Sequence, residues 1–137
     1  MEHDNVKLAC RWFEEVWNQK RPEAIEELSA QDGICHSVAG TITSPQDFRD
    51  KVHSGFIAAF PDLQIAIEDT LAQGDQVAVR WMARGTHTGE GMGMPPSNRE
   101  VQFRGISWIR FRDGMMVEGW DCWDLHGLLQ SLQPAAV

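Results

Sequence analysis

The chain has 137 residues, enough for one domain that buries about two-thirds of its unfolded surface. Hydrophobic residues make up 42% and charged residues 23%, an ordinary balance for a globular fold, so a single domain spanning 1–137 is expected. A formal charge of −8 and a pI near 5.0 argue against nucleic acid, whose phosphates need clustered Lys and Arg, and no stretch approaches the length of a membrane span.

The start, Met-Glu-His-Asp, lacks the charged and apolar segments of a signal peptide, so a cytoplasmic protein is expected. Cys10, Cys35 and Cys122 are odd in number, with no Cys-x-x-Cys, and suit reduced thiols. There are six Trp and no Tyr, which removes one common oxyanion donor.

Val6, Ala9, Phe13, Val16 and Trp17 share one face of a first helix, which Asp4 or Asn5 can cap. Pro22 opens a shorter helix with Ala24, Ile25 and Leu28 inward. Gly33 to Val38 reads as an edge strand. Ser44-Pro45-Gln46-Asp47 has the chemistry of a helix start, with a hydroxyl cap, Pro in the first turn and an acid where backbone N–H groups point. Phe48, Val52, Phe56 and Ala59 carry its apolar stripe, and Phe60-Pro61 ends it.

The period then switches to two. Leu63, Ile65 and Ile67 alternate with polar or small residues, and Gln73-Gly74-Asp75 turns the chain into a strand over Gln76 to His87. A Gly- and Pro-rich loop, Thr88 to Ser97, precedes a strand over Val101 to Arg112. Asp113-Gly114 then makes a hairpin into Met116 to Trp123. Asp124 can cap a last helix with Leu125, Leu128, Leu129 and Leu132 inward, and the tail Gln133 to Val137 reads as frayed. Helices first and long antiparallel strands after predict an α+β fold: a curved sheet closed by helices into a cone around an apolar pocket.

Asp121 stands between Trp120 and Trp123 in the last strand. A carboxylate left charged, dry and unpaired there would cost several kcal/mol or more, so it must pair, protonate or face a wet pocket. The last case makes it an acid or base with a pKa moved toward neutrality. The first makes it half of a buried ion pair, with Arg80 or Arg104 as candidate partners.

Several segments together resemble the SnoaL-like polyketide cyclase family: Gly85-Thr-His-Thr-Gly89 through Gly93-Met-Pro-Pro96, Ile109-Arg-Phe-Arg-Asp-Gly114, and Glu118-Gly-Trp-Asp-Cys-Trp-Asp-Leu-His-Gly-Leu-Leu-Gln130. Phe60-Pro61-Asp62-Leu63 and Gly74-Asp75-Gln76-Val77 fit it too. The resemblance covers nearly the whole chain. It implies the cone-shaped fold of nuclear transport factor two-like proteins and a homo-oligomer, dimer or tetramer, assembled through the sheet. It also implies aldol ring closure of aromatic polyketides without metal or cofactor, by an aspartate that corresponds to Asp121. A histidine that assists in one characterised type corresponds to Ser107 here, which separates this chain from that type's substrate.

The expected substrate is a small hydrophobic carbonyl compound, and the candidate residues follow. Strand parity puts Val117, Gly119, Asp121 and Trp123 on one face, and Val101, Phe103, Gly105, Ser107, Ile109 and Phe111 on the facing side of the neighbouring strand. Asp121 is then the acid/base, with Ser107, Phe103 and Trp123 beside the substrate. Trp81, Trp108 and Trp120 read as slot, core or dimer-interface residues. His87, ending its strand at the pocket rim, is a candidate donor to a forming enolate, or else a surface residue closing the strand end. His36 is a candidate substrate contact or a satisfied core histidine. Met92 and Met94 suggest an adaptable lid, with Met94 against the substrate. No His, Cys or acid spacing fits a metal. The alternatives are an isomerase or epoxide hydrolase on the same fold, or a non-catalytic binding or assembly module; the isomerase route is weakened by the missing Tyr.

Overall fold

The computed structural model describes residues 2–133. The tail expected to fray lies outside them from residue 134 onward. Helix α1 (Glu2–Arg11) continues without a break into a wider, π-helical stretch over Trp12–Asn18. It starts upstream of Asp4 and Asn5, which are inside it and do not cap it. Phe13, Val16 and Trp17 are buried as the helical period requires, and Trp12, three residues on from the buried Ala9, joins them on the same face.

Helix α2 (Glu23–Leu28) leads straight into β1 (Ser29–Ser37) and a short β2 (Gly40–Ile42). Helix α3 (Pro45–Phe48) is capped as its sequence predicts, the Asp47 N–H donating to Ser44 Oγ at 3.1 Å. A second π-helical stretch, Arg49–His53, joins it to α4 (Ser54–Ala59), which stops at Phe60. The remaining strands are β3 (Gln64–Gln73), β4 (Gln76–Thr86), β5 (Glu100–Arg112) and β6 (Met115–Trp123), followed by α5 (Leu125–Ser131). The β5–β6 turn has φ of 52° at Asp113 and 77° at Gly114, the left-handed pair that a two-residue hairpin needs.

The six strands form one curved sheet in the order β2-β1-β6-β5-β4-β3. All neighbours are antiparallel except β1 and β6, which run parallel; between them the chain passes through helices and the four strands β2 to β5. Strand β1 is therefore interior and β2 is the edge, which corrects the expectation from Gly33 to Val38. The sequence alone did not show the short β2 that covers it. The concave side of β4 and β5 packs Val77, Val79, Trp81, Ile109 and Phe111 against Phe13, Val16, Leu28, Phe60 and Leu128. The convex side leaves Ile106, Trp108 and Trp120 substantially exposed.

Candidate active site

The concave side is not filled. A cavity of about 340 Å³ remains between the sheet and the helices, within the range of small-molecule sites. Its walls are largely aromatic, with Trp12, Trp17, Phe56, Phe103 and Trp123 among them, and Asp121 and Ser107 sit in the floor. A recess of about 60 Å³ lies on the other side of Asp121, bordered by Cys35, Ser44 and Glu118.

Strand register brings the floor together. Ser107 of β5 is directly opposite Asp121 of β6, and Gly105 opposite Trp123. The Ser107 hydroxyl donates to Asp121 Oδ1 at 2.6 Å, and the Cys35 thiol lies 3.5 Å from Oδ2. The Trp81 indole N–H donates in turn to Ser107 Oγ at 3.0 Å, which aims the hydroxyl proton at the carboxylate. Trp81 reaches Ser107 because it crosses a glycine. A Cβ at Gly105 would stand 2.4 Å from Trp81 Cζ2 and 2.8 Å from Trp123 Cβ.

Among the described residues no cation is paired with this carboxylate. Arg80 pairs with Asp69 at 3.8 Å and Arg104 with Glu68 at 3.5 Å, both through well-exposed side chains. The ion-pair alternative fails on that geometry. Burial pushes the Asp121 carboxyl above the usual carboxylate range, opposed by the hydrogen bonds from Ser107 and Cys35. The Cys35 thiol is itself pushed up, first by burial and then by the neighbouring Asp121 charge, so it stays a neutral donor. The arrangement leaves a desolvated carboxylate held by neutral donors and bordering both the cavity and the smaller recess.

Ser107, Phe103 and Trp123 are brought together with Asp121; Trp123 packs against Phe103 with centroids 5.1 Å apart and edge-on against Phe56 at 5.7 Å. The other three expected residues are placed elsewhere. His87 does not reach the rim: it is fully buried behind Phe60 and is not among the residues lining the cavity. Its Nδ1 accepts from the Ser97 N–H at 3.2 Å and lies 2.9 Å from Ser97 Oγ, while Nε2 has no partner. It pins the far end of the Gly-Pro loop. His36 is on the convex side, stacked on Trp120 at 5.3 Å and bonded to Glu118 at 2.8 Å. It is neither a core histidine nor a cavity contact. Met94 packs at the edge of the core, and Met92 is the methionine that lines the cavity. The loop itself is drawn tight onto α4. The Gly89 N–H donates to Ala59 O at 3.2 Å, and a Cβ at Gly89 would stand 1.7 Å from Ala58 O.

Three contributors were missed from the sequence: Cys35, Trp12 and Lys51. Cys35 reaches the site because it alternates with His36 and pairs with Gly119 of the Asp121 strand, a parallel register that the sequence does not signal. The signal for Trp12 and Lys51 was helical spacing, since each stands three residues beyond an inward residue of its helix, Ala9 and Phe48. Among the described residues no group of three or more His, Cys, Asp or Glu is placed to hold a metal ion, and no helix is long and apolar enough to cross a membrane.

Helices closing a curved sheet into a cone give the nuclear transport factor two-like fold. A Catenulispora acidiphila protein of ketosteroid isomerase-like fold aligns with a TM-score of 0.75 at 21% identity, covering 93% of each chain. The chain belongs to the SnoaL-like polyketide cyclase family, whose model matches residues 7–132. It is similar to AclR, a candidate hydroxylase from Streptomyces galilaeus, at 29% identity and a TM-score of 0.84 over 100% of this chain and 87% of that one. It is also similar to IdmH, a candidate polyketide cyclase from Streptomyces antibioticus, at 31% identity and a TM-score of 0.80 over 93% and 97%. Among curated protein sequences none matches this chain.

Proposed function

We propose that the protein catalyses acid/base chemistry at a carbon next to carbonyl groups of a hydrophobic substrate, with intramolecular aldol ring closure as the reaction. The observation that carries this reading is Asp121, buried beside an apolar cavity and bonded only by neutral Ser107 and Cys35. A carboxylate made more basic by burial comes closer to the acidity of such a carbon. Asp121 takes the proton, and the enolate attacks a second carbonyl of the same molecule. The proton then returns from Asp121 to the new alkoxide. No group is consumed, so the step needs no cofactor. Aromatic walls around Trp123 and Phe103 hold the rings and keep the reacting ends together.

The likeness to AclR supports a second reading, hydroxylation of an aromatic substrate in the same cavity. The two differ in what they consume, since hydroxylation needs an oxidant and ring closure does not. The test is turnover of aromatic polyketide ketones by wild type and Asp121→Asn, with and without dioxygen. Ring closure predicts oxygen-independent turnover that the variant loses while still binding the ketone. Undiminished turnover by the variant would remove Asp121 from the chemistry.

For assembly, we propose a homo-oligomer formed through the convex side. Ile106, Trp108 and Trp120 there are 49%, 50% and 39% exposed, a contiguous apolar patch on neighbouring strands.

A further inference from the structure

The cavity has two ends with different charge. Asp121 stands in the floor, and Lys51 is the one cation among the described residues that line the cavity. Of all those lining residues only Lys51 and Ala39 are exposed, so the mouth opens between the β1–β2 turn and the π-helical stretch Arg49–His53. The Lys51 side chain is 65% exposed. Its ammonium lies 3.5 Å from Asp47, whose side chain is 41% exposed. A solvent-exposed pair of this kind is worth little and is readily exchanged for another anion. The partly exposed lining residues Val38, Val52, Met92 and Leu125 add no charge.

We infer that the substrate is an elongated, flat carbonyl compound with an acidic group at the end remote from the reacting carbon, and that Lys51 receives that anion at the mouth. This rests on the cavity being the substrate site. The orientation follows from electrostatics. An anion placed at the floor would lose its water and face the Asp121 carboxylate, whereas at the mouth it keeps part of its hydration and meets an ammonium. Asp121 then faces the neutral, carbonyl-bearing end, where a base can act. The formal charge of −8 repels anions at a distance, so any preference for an acidic ligand must come from this local contact.

The test compares two probes by quenching of the cavity tryptophans: acetylnaphthalene, and acetylnaphthoic acid with its two substituents at opposite ends of the ring pair. In low salt the wild type should bind the acid about three- to fivefold more tightly than the neutral ketone, the range of an exposed ion pair. That ratio should fall as salt rises. Lys51→Met should abolish the ratio with the neutral probe unchanged, and Lys51→Arg should keep it. Equal or weaker binding of the acid by the wild type, an unchanged ratio in Lys51→Met, or failure of both probes to bind would overturn the inference. No turnover is measured, so a missing charge preference counts against Lys51 alone. Turnover that survives Asp121→Asn counts against the proposed reaction instead.

Discussion

Ser107 and Asp121 face each other across the β5–β6 pair, and the 2.6 Å bond between them is the shortest that the carboxylate makes. Because Trp81 donates to the same hydroxyl, the serine proton has one direction to go. The bond stabilises the charged form of Asp121 and so restrains the upward push of burial.

Replacing Ser107 by Ala removes that restraint. The acid limb of the pH–rate profile, set by ionisation of Asp121, should move to higher pH. The Trp81 N–H would be left buried without an acceptor, a loss of about 1–3 kcal/mol that thermal unfolding would register. A limb that stays in place would mean that the hydroxyl does not act on the base.

Asp121→Asn should be more stable than wild type at neutral and higher pH, and close to it at low pH. The sign follows from linkage. A carboxyl with a raised folded-state pKa holds its proton more tightly when folded, so its ionisation weakens the fold as pH climbs from the ordinary carboxylate range through the raised value. An uncharged isostere escapes that loss. Calorimetry across pH should find the variant's midpoint above that of wild type at pH 8, with the difference closing toward low pH. A variant less stable at every pH would show that the charge has support not described above.

Gly105→Ala tests the packing that aims the serine. The added methyl would clash with the Trp81 ring and with Trp123 Cβ, so one of the two must shift. A stability loss of about 1–3 kcal/mol is expected, together with a changed tryptophan emission spectrum and weaker binding of flat ligands. Unaltered emission and affinity would mean that the cavity wall adapts freely.

Trp108→Glu addresses assembly. Trp108 is paired with Trp120 across β5 and β6 on the convex side, with half of its surface open. A charge there should turn the oligomer into monomers in sedimentation velocity, and the unfolding midpoint, which should fall on dilution of the wild type, should become independent of protein concentration in the variant. A monomeric wild type would contradict the proposed interface.

Much of this was legible because it is local. The Ser44-Pro45 start, the Asp113-Gly114 turn and the Asp124 cap, which accepts from Gly127 N–H at 2.8 Å, each follow from backbone chemistry within a few residues. Parity across the Asp113-Gly114 turn reads Asp121 onto the Ser107 face; a strict two-residue hairpin would pair Ser107 with Trp120, and the register shift between Arg110 and Phe111 is what brings Asp121 opposite Ser107. What failed depended on distant pairing. His36 and Cys35 exchange inside and outside according to a parallel register with β6 that nothing near them specifies. His87 was expected at a rim, but the loop after it closes back onto α4 through Gly89 and buries it. Trp12 and Lys51 stand three residues on from Ala9 and Phe48, so the helical period reaches both, but a lysine at such a place reads as a solvated residue until the cavity behind it is known.

The central claim concerns the proton affinity of one side chain, which carboxyl-carbon NMR with labelled aspartate measures without any substrate. The Asp121 signal, assigned by its absence from Asp121→Asn, should titrate above the range of the exposed aspartates and move further upward in Ser107→Ala. A midpoint at or below that range would mean that the carboxylate is stabilised in place, and the proposed base would be lost.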